Sequence, residues 1–255
     1  MSESTTRRTF LQQAAGAVTV ATLAERVVGS TAEASATGIP TRELGRTGER
    51  VSILCLGGWH AGASEDEAAS VRLVHAAIDE GITFMDNAWE YHDGRAEEVM
   101  GKALAQNGYR KKVFLMTKNC ARDYEGSKTH LEESLKRLRT DVIDLWQFHE
   151  INYDNDPDWI FERGVLKAAL EAQKAGKVRY IGFTGHKDPR IHLKMLGTPF
   201  DWDTAQMPIN VADAHYRSFQ KEVVPVCLEK NVAVLGMKAL GGGGTGEGIL
   251  VGGTD

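Results

Sequence analysis

Short runs of apolar and β-branched residues recur from Thr41 onward, and the segments between them place apolar residues three and four positions apart. A run of about four to eight such residues is typical of a buried strand, whereas the wider spacing is typical of a helix packed on one face. The runs predict seven strands, at Val51–Leu56, Ile82–Met85, Val113–Met116, Val142–Phe148, Val178–Phe183, Thr204–Ile209 and Val232–Met237. The chain therefore alternates strand and helix.

Two of the intervening segments show a clear helical face, Glu65–Glu80 and Lys128–Arg139. The predicted faces consist of Ala69, Leu73, Ala76 and Ala77 in the first segment and of Leu131, Leu135 and Leu138 in the second. Gly81 and Gly176 stand where helices should stop, and Asp188-Pro189 is typical of a helix start.

The pattern repeats about every 30 residues, the size of one βα unit, and predicts a parallel sheet that is either open or closed into a barrel. After the first strand, Gly57–His60 lacks the glycine-rich turn of an open dinucleotide-binding sheet. Polar residues follow nearly every strand, as they do at the mouth of a barrel. We therefore predict an α/β fold, a (β/α)8 TIM barrel, with Thr41–Arg50 as a hairpin that closes its floor.

Seven βα units are visible, whereas a closed barrel of this type has eight. We expect the eighth unit to be missing from the sequence, which would leave Val51–Leu56 and Val232–Met237 without a partner. Unpaired strand edges tend to pair with another chain. Self-association through these open edges is therefore expected.

The first 36 residues differ from the rest. Arg7-Arg8 and Phe10-Leu11 precede a mild apolar run, Ala14–Ala24, and Ala34-Ser35-Ala36 offers a cleavage site. This order predicts an export signal that resembles the twin-arginine type; the alternative is an amphipathic or disordered N-terminus. The run is too short and polar for stable insertion into a membrane. We expect residues 1–36 to be removed near Ala36 after recognition by the twin-arginine export machinery, and the barrel domain, residues 37–255, to be periplasmic.

The charge balance argues against one class of partner. The net charge is −5 and the sequence pI is about 5.9. With no basic excess to neutralise phosphates, a nucleic-acid partner is not expected. Cys55, Cys120 and Cys227 are widely spaced and form no Cys-x-x-Cys pair, which argues against a disulfide framework and against a thiolate metal site.

Three consecutive strands end in a titratable residue, Asp86, Lys118 and His149, and Tyr91 follows Asp86 by five positions. In a parallel barrel these positions share one rim. Reduction of a carbonyl needs a nearby proton donor. A tyrosine with a pKa of about 10 becomes a better donor beside a lysine cation that a carboxylate holds in place, and a neutral histidine can donate a hydrogen bond to the carbonyl oxygen. The four residues therefore fit carbonyl reduction.

Three segments resemble the aldo/keto reductase family. Gly81–Tyr91 resembles the family segment G-I-N-x-x-D-T-A-x-x-Y, Val113–Lys118 its catalytic-lysine strand, and Asp144–His149 its catalytic-histidine strand. The resemblance implies an NAD(P)H-dependent oxidoreductase that reduces aldehydes or ketones. It makes Tyr91 the general acid, Lys118 and Asp86 its tuning pair, and His149 the residue that orients the carbonyl.

The resemblance also implies cofactor contacts. They are Gly58, Trp59, Asp86, Thr184, Gly185, Gln206, Met237 and Lys238. Thr184 and Gly185 replace the family's Ser-Asn pair, and Met237 replaces an aromatic residue that stacks on the nicotinamide. Lys238 either faces the pyrophosphate or is a solvated lysine. The cofactor is expected to be NADP. NAD remains the alternative, because the basic residues that would bind the 2′-phosphate lie in the missing unit.

Two other functions fit parts of the pattern. His60, Asp86, His149 and His186 all fall near strand ends and could ligate zinc in a metal-dependent hydrolase, although Lys118 would then place a cation among the ligands. A barrel that binds the cofactor without catalysis, as a sensor or partner subunit, is the third alternative.

Overall fold

The computed structural model describes residues 33–34 and 38–239. The chain divides into two compact units, residues 1–33 and 34–255. All helices and strands given below belong to the second unit, apart from Glu33, the first residue of β1. The strands are β1 (Glu33–Ala34), β2 (Pro40–Glu43), β3 (Arg50–Ser52), β4 (Cys55–Gly57), β5 (Phe84–Asp86), β6 (Phe114–Asn119), β7 (Ile143–Phe148), β8 (Val178–Thr184), β9 (Thr204–Pro208) and β10 (Ala233–Met237). The proposed signal, residues 1–36, lies almost entirely outside the described residues.

Nine α-helices are present in the described part of the chain. They are α1 (Gly58–Ala63), α2 (Glu67–Asp79), α3 (Arg95–Leu104), α4 (Tyr124–Leu138), α5 (Asp156–Glu162), α6 (Val165–Lys174), α7 (Pro189–Leu196), α8 (Phe219–Glu222) and α9 (Val224–Glu229). Short 3₁₀ helices occupy Gly45–Thr47, Tyr109–Lys112 and Asp213–His215. Within residues 33–34 and 38–239, no helix is both long and apolar enough to cross a bilayer.

Side-chain caps fix several helix starts. The Asp66 carboxylate accepts a hydrogen bond from Ala69 N at 2.8 Å, and that of Asp123 accepts one from Gly126 N at 2.8 Å. Asp188 accepts one from Arg190 N at 3.0 Å, which confirms the start predicted at Asp188-Pro189. Each carboxylate satisfies one of the free amides of a first helical turn.

The strands β4 to β10 form one parallel sheet in chain order. This sheet confirms the predicted α/β class and the βα repeat. Its curvature follows from a small core cluster that joins β10, at one end of the sheet, and β5, next to the other end, to the β2–β3 hairpin. The cluster contains Leu44, Val51, Phe84, Phe114, Met116, Leu145 and Ala233. Since Phe84 lies on β5 and Ala233 on β10, the sheet must curl, as it does in a barrel wall.

The predicted hairpin closes the barrel floor, but the first strand was predicted wrongly. Val51–Leu56 is not one strand: Arg50–Ser52 pairs antiparallel with Pro40–Glu43, and Cys55–Gly57 starts the parallel sheet. Ser52 causes the change of direction, because Thr83 N donates to its Oγ at 2.9 Å and its own N–H donates to Thr83 Oγ1 at 3.0 Å. The chain turns there from the floor into the wall.

The register of the sheet brings the carboxyl ends of three strands together. Asp86, the last residue of β5, is level with Met116 of β6, so Lys118 lies two residues further toward the mouth. Asn119 of β6 is level with Phe148 of β7, which places His149 just beyond it. The three predicted strand-end residues therefore lie together at the carboxyl-terminal edge of the sheet.

Candidate active site

The loop after β5 carries Tyr91 and is anchored to the neighbouring strand. Asn87 N donates to Met116 O at 3.0 Å, and Trp89 N donates to Lys118 O at 3.1 Å. The Asn87 side chain donates to Ala96 O at 2.9 Å, which ties the loop to the first turn of α3. The loop therefore follows the end of β6 closely enough to place its tyrosine beside the lysine.

A buried hydrogen-bond network of Glu97, Thr117 and Arg137 also holds the loop after β5. Glu97 is fully buried and accepts hydrogen bonds from Thr117 Oγ1 at 2.6 Å and from Arg137 Nη1 at 3.4 Å. Arg137 also donates to Trp89 O at 3.0 Å. Burial raises the pKa of the Glu97 carboxyl, although Thr117 and the Arg137 guanidinium act in the opposite direction. This network connects α3 and α4 to the backbone two residues before Tyr91.

Lys118 connects three of the four predicted catalytic residues. Its side chain is almost fully buried and its ammonium group forms an ion pair with Asp86. The Nζ atom also donates to Asn87 O at 2.7 Å and to the Tyr91 hydroxyl at 3.4 Å. Asp86 in turn accepts a hydrogen bond from Gln206 Nε2 at 3.1 Å. Carboxylate, ammonium and phenol thus lie in contact at the barrel mouth.

Burial and charge act in opposite directions on the lysine and the tyrosine. Burial alone would lower the pKa of Lys118, but Asp86 and Tyr91 outweigh it, so the pKa is raised and the amine stays charged. Burial raises the pKa of Tyr91, and Lys118 offsets only part of that rise. The sequence predicts only the lowering of the Tyr91 pKa by lysine. In the structure this pKa is raised, because desolvation of the phenolate is the larger effect.

His149 faces Tyr91 across the site. The two ring centroids are 5.7 Å apart in an edge-to-face arrangement, and His149 N donates to Asn119 O at 2.8 Å. Burial lowers the pKa of the imidazole, and the nearby Glu90 carboxylate opposes this. The imidazole is therefore neutral near pH 7, as a hydrogen-bond donor to a carbonyl requires.

Arg122 braces the loop that follows His149. Its Nη2 atom donates to His149 O at 2.7 Å and to Glu150 O at 2.9 Å, and its Nε atom pairs with the buried Asp156 carboxylate at 3.1 Å. Asp156 also accepts backbone hydrogen bonds from Asn152 and Tyr153. The backbone of His149 is therefore held by a cation that is itself fixed.

The predicted cofactor contacts at the first strand end border the catalytic tyrosine. Trp59 is exposed and lies edge-on to the Tyr91 ring with centroids 5.1 Å apart. Its carbonyl oxygen is 2.8 Å from His92 Nε2. Gly58 is buried, and a Cβ there would meet the Asn87 amide at 2.7 Å. These residues start α1, a short helix that was not predicted.

Thr184, Gly185 and Gln206 lie together at the ends of β8 and β9. Thr184 is buried, and a Cβ on Gly185 would lie 2.4 Å from Ile151 O, so the chain passes too closely for a larger residue. Gln206 is also buried, and its Oε1 atom has no hydrogen-bond partner among the described residues. An unused buried acceptor costs free energy unless a bound group donates to it.

The last two predicted contacts lie at the end of β10. Met237 is half-buried, and its carbonyl oxygen accepts a hydrogen bond from Ile209 N at 3.1 Å. Lys238 is half-buried with a positive φ of 55°. Its charge acts on His186, where burial first and then Lys238 lower the imidazole pKa. Lys238 therefore lies near His186, while the glycine-rich stretch 241–248 lies outside the described residues.

The histidines proposed for a metal hydrolase do not converge. His60 is exposed on α1, and His186 contacts Asn152 Oδ1 at 3.2 Å and the Glu150 carboxylate at 3.5 Å. Across residues 33–34 and 38–239, the one group of three such donors close enough to share an ion is Glu90, Cys120 and His149. Glu90 and Cys120 were not predicted as site residues, because Glu90 is an unassigned position of the tyrosine motif and Cys120 is an isolated thiol.

The chain matches known proteins over most of its length. Residues 53–248 match the model of the aldo/keto reductase family. The uncharacterized oxidoreductase YrpG of Bacillus subtilis is 35% identical over 224 residues, which are 78% of this chain and 66% of that protein. Aldo-keto reductase yakc [NADP(+)] of Schizosaccharomyces pombe is 33% identical over 229 residues, with 80% and 62% covered. The chain thus spans about two thirds or less of the length of these curated relatives.

Solved structures agree. Aldo-keto reductase AKR11C1 from Bacillus halodurans in its holo form superposes with a TM-score of 0.66 at 26% identity, over 77% of this chain and 65% of that one. An aldo/keto reductase from Brucella melitensis gives a TM-score of 0.64 at 25% identity, over 79% and 73%. With the family match covering well over half of the sequence, this chain belongs to the aldo/keto reductase family.

Proposed function

We propose that the protein reduces aldehyde or ketone carbonyls to alcohols with a nicotinamide cofactor, with Tyr91 as the general acid. The observation that carries the proposal is the position of Lys118, whose Nζ atom pairs with Asp86 and lies 3.4 Å from the Tyr91 hydroxyl. This buried lysine is held between a carboxylate and a phenol at the barrel mouth. A cation in that position suits a phenol that gives up a proton.

The residues at the ends of β8 and β9 fit a nicotinamide. The free Oε1 of Gln206 is a buried acceptor suited to a carboxamide N–H. Trp59 and Met237 would border the ring, and Lys238 offers a cation for a phosphate. When bound, a reduced nicotinamide supplies the hydride. NADP is the proposed form, and the name of the S. pombe relative, aldo-keto reductase yakc [NADP(+)], supports this choice.

Residues of this chain donate the proton and stabilise the group that loses it. Because the pKa of Tyr91 is raised by burial, the phenol is protonated near pH 7 and ready to donate to the carbonyl oxygen. The Lys118 cation stabilises the phenolate that remains, and Asp86 holds the ammonium group in position. His149, neutral and across the site from Tyr91, donates its N–H to the same oxygen and orients the substrate.

Tyr91→Phe tests this assignment. The variant keeps the ring that contacts Trp59 and removes only the proton donor, so aldehyde reduction should fall by about 10²–10⁴-fold. NADPH binding, followed by cofactor fluorescence, should be nearly unchanged. Tyr124→Phe is the matched control, since Tyr124 lies on α4 with its hydroxyl on Glu171. Reduction by Tyr91→Phe at the wild-type rate would show that another group is the acid.

We also propose that residues 1–36 are an export signal and that the folded protein acts in the periplasm. The proposal rests on the Arg7-Arg8 pair, the apolar run after it and Ala34-Ser35-Ala36. Mass spectrometry of the protein from its native host should give a mature terminus near Thr37. An intact N-terminus in a cytosolic fraction would contradict the proposal.

A further inference from the structure

Three consecutive loops at the barrel mouth each contribute one metal-binding side chain. Glu90 lies in the loop after β5, Cys120 directly follows β6, and His149 directly follows β7. A carboxylate oxygen, the thiol sulfur and an imidazole nitrogen of these residues all lie within 4.8 Å of one another. None of the three was expected to bind a metal together with the other two, because they are about 30 residues apart in sequence.

We propose that Glu90, Cys120 and His149 form a binding site for one divalent cation of the zinc class. Sulfur, nitrogen and carboxylate oxygen are the three donor types that zinc takes in proteins. Magnesium and calcium prefer all-oxygen sites, so the thiol selects against them. The site does not depend on the proposed reductase activity, since it is defined by the ability to bind an ion.

The unused nitrogen of His149 supports a ligand at this place. Its side chain is about nine-tenths buried, and Nδ1 has no hydrogen-bond partner among the described residues. Glu90 Oε1 lies 2.9 Å from Nδ1, and this carboxylate acts on the imidazole by raising its pKa against the larger effect of burial. A buried imidazole nitrogen beside a carboxylate and a thiol is therefore available to an ion.

The geometry requires only a small adjustment. Zinc bonds of about 2.0–2.3 Å in a tetrahedron place the donors about 3.5 Å apart. The three donor atoms, which lie within 4.8 Å of one another, must therefore approach by about one ångström at most to bind the ion. Glu90 is partly exposed and Cys120 half-buried, so rotation of these two side chains can close the gap. Three protein ligands leave a fourth position open, as in catalytic zinc sites.

The charge balance around the site permits an added cation. The Lys118 charge acts on Glu90 and His149 but is already paired with Asp86. The Arg122 charge acts on Cys120 and is paired with Asp156. Burial and Glu90 raise the pKa of Cys120 to about 12, so the free thiol is protonated. The ion must displace that proton, after which the thiolate and Glu90 supply two negative charges against the ion's two positive charges.

Cobalt(II) alone is a direct probe, because thiolate coordination gives a charge-transfer band in the near ultraviolet and tetrahedral geometry gives visible bands. The metal-free full chain should bind one equivalent with both features. Cys120→Ala should lose the charge-transfer band. Glu90→Gln, at a partly exposed position where folding is not at risk, should weaken binding by at least about tenfold, the smallest loss typical even of outer-shell changes.

Cys55→Ala is the matched control, since Cys55 is a free thiol on β4 that does not belong to the cluster, and it should keep the band. Absence of the band from the wild type at saturating cobalt would overturn the proposal. A band that survives Cys120→Ala, or disappears in Cys55→Ala, would assign the ion to a different thiol and overturn it equally. None of these readouts requires the protein to reduce a carbonyl.

Discussion

Replacing Lys118 by methionine would remove a buried positive charge while keeping most of the side-chain volume. The Asp86 carboxylate, whose side chain is only 16% exposed, would keep Gln206 as its side-chain donor among the described residues. Breaking a buried pair by removing one partner typically costs about 3–5 kcal/mol. Because Asp86 retains the Gln206 hydrogen bond and some water, we expect the lower end, a loss of about 3 kcal/mol in the free energy of unfolding.

A double-mutant cycle separates the pair from its surroundings. Asp86→Asn alone should also destabilise the fold, since the Lys118 ammonium would be left buried with Asn87 O and Tyr91 as acceptors. The double variant carries neither charge. It should therefore lose less than the sum of the two single variants, with a coupling free energy of about 2–3 kcal/mol.

Urea unfolding followed by circular dichroism measures these differences as shifts of the midpoint at constant slope. The control is Lys194→Met, which breaks the half-exposed Lys194–Asp158 pair of 2.6 Å and should cost under about 1 kcal/mol. If Lys118→Met is no more destabilising than Lys194→Met, the Lys118–Asp86 pair is not buried in the way described.

Three further outcomes are expected. Burial lowers the pKa of His192 to about 4, below the usual 6.5, so the folded state disfavours the protonated imidazole. The free energy of unfolding should therefore fall by up to roughly 3 kcal/mol between pH 6.5 and 4, and by less in His192→Gln. Equal pH dependence of the urea midpoints in the two proteins would refute this. Gly101→Ala should prevent stable folding, because the new Cβ would lie 2.1 Å from Arg137 O, whereas Gly197→Ala, at 3.3 Å from Leu193 O, should be tolerated in a thermal-melt comparison. Arg122→Met should lower stability by about 3 kcal/mol and slow aldehyde reduction, since it frees the backbone of His149; an unchanged rate and midpoint would contradict this.

Most of the strands could be predicted because a buried parallel strand is apolar on both faces. The run Val142–Phe148 became β7 (Ile143–Phe148), and Val178–Phe183 became β8 (Val178–Thr184). The prediction of one strand at Val51–Leu56 was wrong, because the sequence stays apolar where the chain passes from the floor hairpin into the barrel wall. The side-chain bonds of Ser52 that turn it are not visible in hydrophobicity.

The buried face of α2 was also predicted wrongly. The structure buries Ser70, Val74 and Ile78, whereas Leu73 is half exposed. Both sets of residues recur at helical spacing, and an alanine-rich helix has little contrast in hydrophobicity around its circumference. Packing of the larger Val74 and Ile78 side chains against the sheet decides the rotation of the helix, and that depends on contacts distant in sequence.

The candidate site was predictable to the extent that it depends on strand ends. Asp86, Lys118 and His149 had to share a rim once three parallel strands were inferred, and the register places them there. Glu90 and Cys120 lie in loops, whose course depends on bonds such as Trp89 N to Lys118 O. Those bonds also bring Tyr91 to the lysine, so the reductase residues and the proposed cation site are consequences of one loop conformation. A change that loosens this loop, such as loss of the Arg137 hydrogen bond to Trp89 O, should therefore weaken cobalt binding and proton donation together.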